Sequence, residues 1–268
     1  MSLSVSSSNG VRPAESGNSV DLSKLTVDAK KIASRNPGPK QLGASPVVRT
    51  ALGPSSVGLK PDEVKALATS FLPVAQNIVD STFAAHIKSA PQLQLKFWTA
   101  QQMKANNPGE NMDGTVAYTD TGRPGIINVG FQSPAFKKLN VDARDLKMFL
   151  VHEVMHTRSV AFSTNMGETY GKPLANGKPP AFSDGSAVRG ITEGLTEIYT
   201  LMATSQKVAS STYNREIKWA VKLIEKVGAD TMANAYFGND PASMARVKKA
   251  INELVAADKP AAASARSL

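Results

Sequence analysis

Val64, Leu67, Phe71, Leu72, Val74 and Ile78 recur at helical spacing behind Pro61-Asp62-Glu63, a proline and two acids of the kind that suits a first helical turn. Order is therefore expected from about Lys60, in a helix that Pro73 kinks or divides. The period then shortens to two. Leu93, Leu95 and Phe97 alternate with polar residues as in a half-buried strand. Segments 115–120 and 125–130 read as two more strands, joined by a turn at Thr121-Gly122-Arg123-Pro124. From Val141 the helical period returns strongly, with Leu146, Phe149, Leu150 and Met155 on one side and Asn140 or Asp142 available to cap the start. Segment 163–188, with Gly171-Lys172-Pro173 and Pro179-Pro180, reads as a long loop. Helical periodicity resumes at about 189–204, 212–227, 230–237 and 241–257, with Gly228 standing at a helix stop. The fold class expected is α+β: a small sheet over a long helix, then a helical C-terminal half.

The ends of the chain differ from this body. The first 20 residues contain seven serines and no apolar period, and 21–60 are broken by Asn36-Pro37-Gly38-Pro39 and Gly53-Pro54. The division expected is a disordered segment over 1–60, one domain over 61–257 and a frayed tail over 258–268. The net charge of +9 follows the same division. Residues 1–60 carry 8 Lys and Arg against 3 Asp and Glu, and 241–268 carry 5 against 2, whereas 61–240 carry 18 against 17. A groove that tracks phosphates needs basic residues clustered on the folded body, so nucleic acid is not the expected partner. No apolar run approaches the length of a membrane span, so no integral membrane association is expected. The start also lacks the apolar stretch of a secretory signal. There are no cysteines, which excludes disulfides, thiolate metal sites and thiol nucleophiles together.

Chemistry concentrates in the long helix. Two of the three histidines, His152 and His156, stand four apart in His152-Glu153-Val154-Met155-His156. On a helix that spacing brings both imidazoles to one face, where they can share a zinc ion, and it sets Glu153 beside them as a general base. A catalytic zinc site needs a third protein ligand. Phe162 and Ser159 stand where an extended motif would require a histidine and a glycine, so the ligand must come from elsewhere. Ile191-Thr192-Glu193-Gly194-Leu195-Thr196-Glu197 offers two glutamates four apart, flanked by Leu195, Ile198 and Leu201. Glu193 is expected as the third ligand, and Glu197 as acceptor from a histidine N–H behind it. His86 has no ligand partner at useful spacing and is expected to be a packed or surface residue.

HEVMH at 152–156 followed by EGLTE at 193–197 resembles the gluzincin zinc peptidases, whose third ligand is a glutamate. More narrowly, EGLTEIYT, Tyr213-Asn214-Arg215-Glu216 and VGADTMANAYFGND at 227–240 resemble zinc-peptidase domains found in bacterial toxins and injected effectors. The likeness covers roughly 141–255. It departs from the pattern at Thr192, where asparagine is expected before the glutamate, and the 37-position gap from His156 to Glu193 is long.

The resemblance implies a zincin-like fold and a zinc-dependent endopeptidase acting on a protein substrate, a host protein being one candidate, with zinc-activated water as nucleophile and Glu153 as base. It favours Tyr213 as the group stabilising the oxyanion, ahead of Arg189 and Tyr170. It also suggests segment 125–130 as the edge strand that pairs with substrate, an ordinary core strand being the alternative. The serine-rich, acid-poor start resembles the secretion segment of effectors injected into host cells, with a plain disordered tail as the alternative. Two further readings stand beside these: a zinc-containing toxin that binds without turnover, and a basic-tailed binder of nucleic acid or membrane surfaces.

Overall fold

The computed structural model describes residues 59–108, 112, 115–119, 122–133, 136, 141–170, 187–204 and 214–257, with backbone alone at 187–190, 214–215, 218, 255 and 257. Its elements run α1 (Pro61–Thr82), β1 (Gln94–Phe97), α2 (Ala100–Asn106), β2 (Ala117–Thr119), β3 (Ile126–Val129), α3 (Ala143–Arg158), α4 (Val160–Tyr170), α5 (Ala187–Thr204), α6 (Asn214–Val227), α7 (Ala229–Tyr236) and α8 (Pro241–Ala257). The architecture is mostly helical with a small mixed sheet, an α+β arrangement.

α1 begins where the proline and acids place it. Lys60 N–H donates to the Glu63 carboxylate at 2.8 Å, and the helix continues through Pro73 without dividing. Pro73 lies on the exposed face of the helix, as does Thr69, the residue whose carbonyl it leaves without an amide partner. α2 was not legible from apolar period. Its signal is a capping box, in which Thr99 and Gln102 exchange side chain-to-backbone bonds at 3.2 and 2.9 Å.

The strand order is β1-β3-β2, with β1 parallel and β2 antiparallel to β3. Lys96 and Tyr118 both align with Asn128. The edge-strand expectation for 125–130 is thereby overturned. β3 is central, and its backbone pairs on both sides, so it has no free ladder to offer a peptide. Alternation of apolar and polar residues reports which faces are buried and is silent about lateral neighbours, so it does not separate a central strand from an edge one.

α3 is the axis of the domain. Asp142 caps it, accepting from the amides of Arg144 at 2.7 Å and Asp145 at 2.8 Å. Leu146, Leu150, Val151, Val154 and Met155 are fully buried against α1, α5, β2 and β3. At about 1.5–3 kcal/mol for each large apolar side chain removed from water, these five anchor the helix well enough to hold polar groups in the same interior. Its far end is tied to α1 by a fork: Arg158 Nε and Nη2 donate to the two Asp80 carboxylate oxygens at 2.7 and 2.9 Å.

The loop expected over 163–188 starts later than its composition suggests. α4 extends to Tyr170, burying Phe162 and Ser163 and, one helical turn on, Met166, and Gly167 does not interrupt it. Residues 171–186 lie outside the described residues. Two glycines have positional meaning. Gly228 has φ +85° at the stop of α6, a conformation that costs other residues strain. Gly194 lies mid-helix in α5, where an added Cβ would run into the Glu216 carbonyl of α6. Gly194→Ala is therefore expected to lower stability by about 1–3 kcal/mol, because a backbone contact cannot rotate away. A thermal melt at or above the wild-type midpoint would show that α6 yields. Among the described residues no helix is long and apolar enough to cross a membrane.

Candidate metal centre

α3 and α5 cross so that His152, His156 and Glu193 meet. The histidines follow the helical turn, with ring centroids 4.9 Å apart and planes inclined at 71°. Glu193 reaches them from α5, whose Leu195, Ile198 and Leu201 are buried as well. His152 Nε2 lies 3.2 Å from Glu193 Oε2 and 3.2 Å from His156 Nε2; His156 Nε2 lies 3.4 Å from the same oxygen. Among the described residues this is the group of histidine and acidic side chains gathered closely enough for one metal ion.

Those separations test whether the residues suit a cation. Tetrahedral coordination at about 2.0–2.1 Å places neighbouring ligand atoms about 3.3–3.4 Å apart, close to the triangle observed. Protons do not satisfy the triangle equally well. Two imidazolium N–H groups cannot point at each other across 3.2 Å, whereas one cation at the centre answers all three lone pairs. The donor set of two imidazoles and a carboxylate therefore fits a single metal ion.

The ring nitrogens facing away are also engaged. Glu197 Oε2, a carboxylate oxygen that can only accept, lies 3.1 Å from His152 Nδ1, so Nδ1 carries a proton, and Nε2, on the Glu193 side, is the nitrogen that would face a metal ion. His156 Nδ1 lies 3.4 Å from Thr196 Oγ1. The electrostatics are tightly coupled. Burial disfavours the charged form of His152, but hydrogen bonds to Glu193 and Glu197 outweigh it and raise its pKa well above the ordinary value. Burial likewise works against Glu193, yet the His156 charge and the bonds to both histidines bring it well below the carboxylate range.

Glu153 follows His152 on α3, beside the candidate metal group. It is 6% exposed, and burial raises its pKa, with the neighbouring histidines pulling the other way. Thr119 of β2 donates its hydroxyl to Glu153 Oε2 at 2.9 Å, with the Glu153 carbonyl 3.2 Å away. The sheet thus reaches the site through its edge strand β2. Sequence reasoning missed Thr119, since no local pattern relates a strand threonine to a glutamate 34 positions later.

Other candidates stand apart. The Tyr170 hydroxyl turns to α8, donating to the Lys248 carbonyl at 3.1 Å with Asn252 Oδ1 at 3.2 Å, and is not brought to the histidines. His86 is a packed residue, its Nδ1 2.8 Å from Asn234 Oδ1. Tyr213 lies outside the described residues, as does the side chain of Arg189.

Comparison with protein-family models, with curated proteins and with solved structures produced no match to this chain.

Proposed function

We propose that this protein is a zinc-dependent endopeptidase with a zincin-like domain. The observation that supports it most is the pairing of a tetrahedrally spaced His152, His156 and Glu193 triangle with a buried carboxylate, Glu153, held by Thr119. A structural metal site needs no such neighbouring base; a hydrolytic one does. Zinc suits two imidazoles and one carboxylate and, when bound, supplies Lewis acidity toward a carbonyl oxygen and toward water.

The chain's own residues divide the remaining work. Glu153 accepts a proton from the attacking water as its oxygen bonds to the scissile carbon. The C–N bond then breaks, and Glu153 returns that proton to the leaving amine. Thr119 keeps the carboxylate aimed, and β2, the sheet edge touching Glu153, is where an extended substrate backbone would pair. Tyr213 remains the candidate for oxyanion stabilisation.

The substrate class is protein, and the resemblance of the serine-rich, acid-poor start to the secretion segment of injected effectors supports delivery into a host cell. Incubating the protein with host-cell lysate, with and without a chelator, tests the peptidase reading through the new N-termini formed. Chelator-sensitive cleavage is expected. Zinc bound without any new N-terminus would favour the binding-protein alternative. Deleting residues 1–50 should leave in vitro cleavage and zinc content nearly unchanged while abolishing transfer of a reporter-tagged protein from bacteria to host cells. Normal transfer of the truncated protein would refute the delivery role.

A further inference from the structure

Thr196 follows Glu193 by three positions on α5, which sets it on the same face toward α3. It is fully buried, and its hydroxyl has three neighbours: the Thr192 carbonyl at 2.7 Å, His156 Nδ1 at 3.4 Å and the Tyr236 hydroxyl. A hydroxyl has one proton and two lone pairs. The Thr192 carbonyl can only accept, so the Thr196 proton goes there. The two remaining lone pairs are then open to Nδ1–H of His156 and to the O–H of Tyr236, a hydroxyl that also has Ser159 as a partner.

The proton on Nδ1 sets the far side of the ring. A neutral imidazole protonated at Nδ1 is bare at Nε2, the atom that faces His152 and Glu193. We infer that Thr196, seated by the Tyr236 hydroxyl, is a positioning residue that holds His156 in the Nδ1–H tautomer and thereby strengthens metal binding. The inference rests on reading His152, His156 and Glu193 as the metal group. It gives each histidine its own anchor on α5: Glu197 for His152 and Thr196 for His156.

The Tyr236 end of the relay is rigidly placed. Its ring packs among Phe162, Tyr199 and Phe237, with centroids 5.3, 4.9 and 4.7 Å away. Burial raises the Tyr236 hydroxyl above its ordinary range, so it stays a donor. α7, which contributes no metal ligand, is in this way linked to the metal side of α3. The contact to His156 is longer than that from Glu197 to His152, and a neutral hydroxyl is a weaker acceptor than a carboxylate, so the effect of losing it should be the smaller of the two.

The test uses full-length protein and zinc itself, in a chelator competition titration. Thr196→Val keeps the shape and removes the acceptor; it should weaken zinc binding about tenfold. Thr196→Ser restores the hydroxyl and should bind close to wild type. Tyr236→Phe should weaken binding less, and adding it to Thr196→Val should cost nothing more, because both act through one oxygen. Unchanged affinity in a folded Thr196→Val, or an equal loss in Thr196→Ser, would overturn the role. Ring-nitrogen NMR on metal-free protein at alkaline pH reads the tautomer without any metal. His156 should be Nδ1–H in the wild type and mixed in Thr196→Val. An Nε2–H wild type would refute the relay even if zinc binds. Wild-type protein that binds no zinc, yet shows the Nδ1–H tautomer, would instead refute the metal reading.

Discussion

Purified protein is expected to carry close to one zinc ion per chain, and the His152→Ala variant almost none. His152 Nε2 stands 3.2 Å from each of the other two ligand atoms, so its removal leaves two donors where three are needed. Glu193→Ala should behave similarly, since its carboxylate contributes the remaining corner and the negative charge. Glu197→Ala should differ in kind. It releases His152 Nδ1 without taking away a ligand, and should weaken zinc affinity about 10–100-fold with the site still fillable. Elemental analysis combined with chelator competition separates these outcomes, and a larger loss for Glu197→Ala than for Glu193→Ala would exchange their roles. Thermal melts supply an independent readout. Ligand at a hundred times its dissociation constant stabilises the folded state by about 2.7 kcal/mol. A chelator should therefore lower the wild-type midpoint and leave that of His152→Ala unmoved. Unchanged zinc content in His152→Ala would dismiss the assignment.

Glu153→Gln should retain fold and zinc and lose peptidase activity by at least about a hundredfold. The amide keeps the length and still offers Thr119 an oxygen, so packing between β2 and α3 is preserved. What it cannot do is take up a proton. Thr119→Val should act more mildly, lowering turnover while Glu153 remains able to accept, since it frees the carboxylate without removing it. The measurement is turnover on a substrate identified from cleaved lysate, with zinc content determined on the same samples. Near-normal rates in Glu153→Gln would remove Glu153 from the mechanism.

Local order explains most of what is legible in the chain's residue pattern. The helical period around Leu146, Leu150 and Met155, the cap at Asp142, the stop at Gly228 and the start at Lys60 depend on neighbours within a turn or two. The same holds for the two candidate pairs, His152 with His156 and Glu193 with Glu197, because four-residue spacing on a helix fixes a shared face whatever surrounds it. Even α2 left a local mark, the capping box at Thr99 and Gln102. The length of α4 escaped because the glycine within it resembles loop composition, while the burial of Phe162 and Met166 depends on partners far along the chain.

Tertiary structure decided the rest. It made β3 central instead of an edge, because pairing partners are chosen between segments and leave no trace in one strand's alternation. It set Glu193 against the Nε2 atoms and Glu197 against Nδ1 of His152, an order that depends on the crossing of α3 and α5. It also brought Thr119 to Glu153, and Tyr236 through Thr196 to His156. The sequence alone determined where the strongly periodic helices, α1, α3 and α5 to α8, form and which residues share their faces, since those are properties of a single turn. Which face meets which, and so which hydroxyl steadies which ligand, came only from packing, since burying the apolar stripes of α3, α5 and α7 together is a property of the whole chain.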